Sequence, residues 1–291
     1  MRAVMSVIRR CAATLLLVAL AGCGAEKAPP EPKFANWPAT LDDFRFQWAA
    51  EQGIDLASGP AVPLRAYLES YRIWNMTQDA GTAYPGFDRA VPEAMPAKSN
   101  STTRNELVDI RPQPEAEPFG PPGPFYGNEY FHILELTPIE SGYRAYVCDG
   151  MYNVFREADE KGKYVSVIKY QSRTGLNDVN GMKVWRVEFT DTPPVTDAPP
   201  TMTAAQRGPN PAPAGDVFGP WRITGASDDK WGTQINSQDT ADERIDGARR
   251  ISQCSDLMPQ WRTERDDIIG RVLDTPPTAE PASPGWPDGT G

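Results

Sequence analysis

The sequence predicts an α+β fold, with N-terminal helices packed on a curved antiparallel sheet of four to six strands and long proline-rich loops. Three observations carry this expectation. "PLRAYLESYRIWNM" (Pro63–Met76) has the apolar period of a core-facing helix. Residues 129–189 break into short alternating segments joined by hairpin-length connections. Proline and glycine, 30 and 24 of 291 residues, gather near 78–127 and 191–219, while apolar residues at 40% suffice for a core.

Leu41–Glu51 is expected to be the first helix. Thr40 and Asp43 resemble a capping box, Leu41, Phe44 and Trp48 share a helical face, and Gly53 offers a stop. In the second helix Pro63 suits the first turn, and Leu64, Tyr67, Leu68, Tyr71 and Trp74 form the buried stripe. Arg65, Glu69 and Arg72 fall on the other side, where they can pair along the helix. Such an aromatic stripe reads first as core and second as a ligand wall. From Gln78 to Gly127 the periodicity is lost; Arg111–Gly127 alone holds six prolines among 17 residues, which excludes helix and central strand.

Strands are expected at Glu129–Leu136, Tyr143–Cys148, within "MYNVFRE" and "KYVSVIKY", at Lys183–Phe189 and at Trp221–Thr224. Asn180-Gly181 is a turn signal launching the fifth of these. No helix of crossover length lies between them, so the sheet is expected to be antiparallel. After Gly225, "DTADERIDGARRIS" suggests a polar helix broken at Gly247, and "MPQWRTERDDIIGRVL" another anchored by Trp261. Residues 276–291 look like a flexible tail.

Little in the chain points to chemistry. It has one histidine, so a cluster of His and Cys metal ligands is not expected. Asn177–Gly181 faintly resembles a calcium loop, but position 12 is Glu188, inside a strand, and a hairpin explains it better. There is no G-x-S-x-G turn and no nucleotide signature. The adjacent acidic pairs Asp42-Asp43, Asp228-Asp229 and Asp266-Asp267 point apart and suit surface or caps. On an alternating strand His132 shares a side with Tyr130, Leu134 and Leu136 and reads as a core or interface residue. The functional alternative pairs it with Asp149 for proton transfer. No metal and no cofactor is expected.

The first two dozen residues give an address. Arg2, Arg9 and Arg10 precede about ten apolar or small residues, too few for the roughly 20 that span a bilayer. The stretch ends in Leu20-Ala21-Gly22-Cys23, which resembles the lipobox of bacterial lipoproteins. The resemblance implies a signal over 1–22, acylation of Cys23, and a proline-rich tether over 23–39. A single globular domain over 40–275 and the tail would follow. The implied place is the extracytoplasmic face of a cell membrane, reached through the lipid anchor. That signal takes three arginines and no acid, lowering the net charge from −10 to −13. Such a surface disfavours nucleic acid and anionic headgroups. Cys11 would leave with the signal and Cys23 would be acylated. Cys148 and Cys254 would remain in an oxidising compartment and are best read as one disulfide, the alternative being two free thiols.

The same start, with the Pro/Ala/Trp-rich usage and the strand-rich block, resembles uncharacterised envelope lipoproteins of actinobacteria, mycobacteria especially. The order of elements, helices then a meander, is similar to the NTF2-like cone. That resemblance implies a pocket between helices and sheet, for which Tyr67, Tyr71, Trp74, His132, Tyr146 and Trp185 are the candidates. A non-enzymatic binding module for an envelope protein or an apolar ligand fits best. The alternatives are an accessory subunit of an envelope transport or assembly complex, and a small pocket enzyme using His132.

Overall fold

Phe44, Phe46 and Trp48 are buried and the residues between them are not, the signature of a strand. The expected helix at Leu41–Glu51 is therefore β1 (Asp43–Ala50). Helical and strand periods both accommodate Phe44 and Trp48; Phe46 fits only the second. The computed structural model describes residues 33–95, 105–113, 119–169, 181–193, 199, 204–228 and 248–288. Cys23, the signal, most of the tether and the Asn177–Asn180 turn lie outside them.

Among the described residues, eight strands and five helices make a mixed α+β fold with an open, mostly antiparallel sheet. The strands after β1 are β2 (Phe125–Ile139), β3 (Gly142–Gly150), β4 (Val154–Glu157), β5 (Tyr164–Ser166), β6 (Met182–Thr190), β7 (Arg222–Ser227) and β8 (Val272–Leu273). Their order is β7-β6-β3-β2-β4-β5-β8, with β1 paired to β2. The sheet thus has two more strands than the expected maximum. β1 runs parallel to β2, so the sheet is not wholly antiparallel. A crossover helix, α1 (Ala61–Thr77), lies between those two strands, as a parallel pair requires. The short α2 (Phe87–Ala90) and α3 (Asn105–Val108) fall within the expected first loop region.

Alternation sorts the sheet into two faces. Phe131, Ile133, Val147, Trp185 and Val187 join the large apolar cluster with α1. Tyr130, Cys148, Met182 and Val184 face the other way, towards α4 (residues 248–257) and Met258 just beyond it. In β2 the pairing steps from Ile133↔Val147 to Glu135↔Tyr146, so Leu134 is an extra residue. This bulge switches the parity downstream. Leu136, expected beside His132, pairs with Ala145 and packs against the α1 cluster.

Cys148 of β3 and Cys254 of α4 form a disulfide, with sulfurs 2.04 Å apart and Cα atoms 5.5 Å apart. It ties the helix on the second face to the centre of the sheet. A helix also forms in the last expected helical region: α5 (Arg262–Gly270), where the Glu264 carboxylate accepts the Trp261 N–H at 2.8 Å. Trp261 is not its core anchor, being 71% exposed.

α1 is buried on nearly every side, so Arg65, Glu69 and Arg72, opposite the apolar stripe, are buried as well. Its Arg65 and Glu69 hold the C-terminal segment. Glu69 accepts from Trp48 Nε1 (2.7 Å), Tyr84 Oη (2.7 Å) and Trp286 Nε1 (2.8 Å). Arg65 lies 4.2 Å from the Trp286 ring centroid and donates to the Pro284 carbonyl at 2.7 Å. Ser283 bridges the outer edge of β1, with Trp48 N–H donating to its carbonyl at 2.6 Å. Residues 276–288 are consequently a docked strap, not the expected flexible tail. Local sequence concealed it because its bonds reach far along the chain, those to Glu69 and Arg65 across 217 and 219 positions.

Replacing Trp286 with phenylalanine should lower stability by about 1–3 kcal/mol in urea unfolding. The aromatic face over Arg65 survives while the buried Glu69 carboxyl loses one donor.

Candidate functional site

The six residues expected to line a pocket are divided between the two faces. Tyr67, Tyr71, Trp74 and Trp185 lie on the α1 side, where they fill space. The Tyr67 hydroxyl donates to the Ile110 carbonyl at 2.8 Å, and its ring stacks on Phe87. Tyr71 meets Trp185 edge-on at 4.9 Å, and Trp74 meets Phe87 at 6.0 Å. Burial holds the Tyr67 and Tyr71 phenols above their ordinary range. Tyr146 faces α4 and lies under the guanidinium of Arg250, which pairs with Glu135 at 3.0 Å.

The expected pairing of His132 with Asp149 does not form. His132 opposes Cys148 in the ladder and points to the α4 face, whereas Asp149 opposes Phe131 and points to α1. There Arg72 binds Glu129 Oε1 at 2.7 Å and Asp149 Oδ2 at 2.5 Å, and Trp185 Nε1 donates to the same Asp149 oxygen at 3.0 Å. Arg72, Glu129 and Asp149 are all buried. Burial pushes Glu129 well above the usual carboxylate range, and Asp149 adds to this against the opposing pull of Arg72. One cation thus faces two carboxyl groups, and burial favours the protonated form of the Glu129 carboxyl. The triad joins α1 to β2 and β3 across the core; its burial marks it as a structural brace.

His132 opens onto a cleft on the second face, about 250 Å³ in volume. β1 contributes Gln47 and Ala49, β2 contributes Tyr130 and His132, and the α4–α5 turn contributes Leu257, Met258, Pro259 and Gln260. Glu280 of the strap closes the fourth side. Its backbone exchanges hydrogen bonds with the Asn128 side chain at 2.9 and 3.1 Å. His132 Nε2 lies 3.2 Å from Glu51 Oε1 at the rim.

The α4–α5 turn is held from within. Arg265 is fully buried, binds the Ser255 hydroxyl at 2.6 Å and also reaches the Gln260 carbonyl. Tyr152 stacks on Tyr130 and donates to Gln260 Oε1 at 2.6 Å. Every buried polar bond at this turn points inward, which leaves Leu257 and Trp261 outside at 37% and 71% exposure. No other described tryptophan is exposed.

Compared with known families, curated proteins and solved structures, the chain finds no match. The cleft is therefore judged on its geometry alone. Among the described residues no three His, Cys, Asp or Glu side chains converge as a metal site would need. Within those residues, too, no helix is long and apolar enough to cross a membrane. The cleft offers apolar surface and one imidazole with a carboxylate partner, and the exposed Trp261 follows directly on Gln260 of its lining. Sequence reasoning placed His132 and Tyr130 together but missed Leu257 and Glu280, which the fold brings to the site, and the exposure of Trp261 next to them in the chain.

Proposed function

We propose that this chain is an extracytoplasmic lipoprotein, anchored through an acylated Cys23 and its tether, that acts as a non-enzymatic binding module. Its docking surface is the cleft between β1, β2, the α4–α5 turn and the strap. The observation that carries this reading is Trp261, exposed on a turn that Arg265 and the Cys148–Cys254 disulfide hold in place. An exposed tryptophan, next in the chain to a cleft-lining turn, is of the residue type that dominates binding energy at protein interfaces. Rigid presentation spares the entropy of ordering it on contact. A disulfide between distant segments supports an oxidising compartment. An NTF2-like cone would seat its ligand between helix and sheet. On the α1 side that space holds Tyr67, Tyr71, Trp74 and Trp185, so the binding surface is assigned to the opposite face.

The test is photo-crosslinking in the native host from residue 261, with residue 140 on the exposed β2–β3 turn as reference. One recurrent protein partner from 261 and none from 140 is the expected result. Identical random sets from both positions would sink the reading. The identity of a recurrent partner would also decide whether the module serves an envelope transport or assembly complex. For the anchor, labelled palmitate should enter the protein and be lost in Cys23→Ser; retention of the label in that variant would refute it.

A second reading rests on His132 and Glu51 meeting at the cleft rim, the arrangement of a general base and its orienting acid. His132→Gln should leave crosslinking and phenotype intact. Loss of phenotype with crosslinking preserved would favour a pocket enzyme.

A further inference from the structure

We infer that the cleft receives a segment of a partner protein in which an apolar side chain sits beside lysine or arginine. This rests on the reading of the cleft as a docking surface and adds the chemistry of its occupant. The side chains that line the cleft include no lysine or arginine, and the charge they do present is the exposed carboxylate of Glu280. Glu51 adds a second, half-exposed carboxylate at the rim through its contact with His132.

Around the apolar turn the exposed charge is again mainly acidic. Asp256 precedes Leu257, and Glu264, Asp266 and Asp267 follow Trp261 along α5. Arg262, and Arg271 just past the end of α5, are the exposed exceptions, while the buried Arg265 is committed to the turn itself. An anionic occupant of the cleft would meet mostly carboxylates and no cation among the lining side chains. A cationic one would find both its charge and its methylene stem accommodated, because long basic side chains lay apolar stems on apolar surface and keep their charge in water. The indole of Trp261 adds a face on which a guanidinium or ammonium stacks.

Size narrows the class further. At about 250 Å³ the cleft lies below the roughly 300–1,000 Å³ of sites that enclose small organic ligands. It suits one or two side chains of a larger partner whose remaining contacts spread over Leu257 and Trp261. The net charge, −10 for the full chain and −13 without the signal, would draw such a partner in from a distance.

The experiment titrates the full chain into two dye-labelled amphipathic peptides and reads anisotropy. One is built from leucine, phenylalanine and lysine; the other has glutamate in place of each lysine. The lysine peptide is expected to bind and to weaken as salt rises. Trp261→Ser should lower its affinity about tenfold. Glu280→Lys should weaken it clearly more than Glu140→Lys, which alters the same net charge on the exposed β2–β3 turn away from the cleft.

Equal binding of both peptides, each weakened by Trp261→Ser, would overturn the cationic class and leave the docking surface standing. Lysine-peptide binding that ignores Trp261→Ser and responds equally to both charge reversals would mean bulk attraction, and would overturn the inference. So would Trp261-dependent co-sedimentation with phosphatidylglycerol vesicles in place of peptide binding, since the occupant would then be a membrane. Failure of both peptides would remove the inference and the docking surface together.

Discussion

Replacing Arg72 with methionine is expected to destabilise the fold by about 3–5 kcal/mol, because it strands two buried carboxyl groups without their cation. Methionine approximates the length and apolar stem of arginine, so the loss reports charge and hydrogen bonding more than volume. The same triad sets a pH dependence. Glu129 is raised well above 4.5 in the folded protein, so the folded state holds a proton that the unfolded chain releases. The stability this group contributes is complete below about pH 4.5 and is lost progressively as pH rises through its elevated folded value. Glu69, also raised by burial, contributes a slope of the same sign. Glu129→Gln should flatten that slope, leaving the Glu69 part, and should stabilise the protein at neutral pH. Urea unfolding across mildly acidic to neutral pH reads both effects. A variant whose slope matches the parent's would show that Glu129 ionises normally.

The strand block was readable because alternation and turn residues are local signals. Trp185, Val187 and Phe189 fall on one face as period two demands, and the hairpin after Glu157 carries its glycine. α1 was readable for the same reason, though only in part. A stripe says which residues go inside but not that Arg65, Glu69 and Arg72 go inside with them. Their partners, Trp286, Glu129 and Asp149, come from the strap, β2 and β3. β1 failed on a shared pattern, since residues four apart lie on one side of both helix and strand. Of the site, His132 and Tyr130 were visible as neighbours on a strand. Trp261 was mistaken for a core anchor because nothing local distinguishes a tryptophan turned inward from one turned out. Its exposure follows from Arg265 and Tyr152, which hold the turn by the inner side. The bulge at Leu134 likewise left no mark in the composition of its strand.

Converting Cys148 and Cys254 together to alanine should cost about 4–5 kcal/mol, the chain-entropy value for a loop closed across 106 residues. The effect should not be spread evenly. On the α1 face the apolar cluster and the strap hold without the disulfide, whereas α4 is fixed to the sheet by a small cluster with this bond inside it. Hydrogen exchange should therefore quicken first in residues 248–270, with β2, β3 and α1 still protected. Because Leu257, Met258 and Gln260 form one wall of the cleft, binding through Trp261 should weaken before the sheet unfolds. Measured under conditions where the variant remains folded, affinity and exchange should fall together. If exchange rose uniformly, the bond would brace the whole fold, and the α4–α5 turn would owe its position to Arg265 and Tyr152.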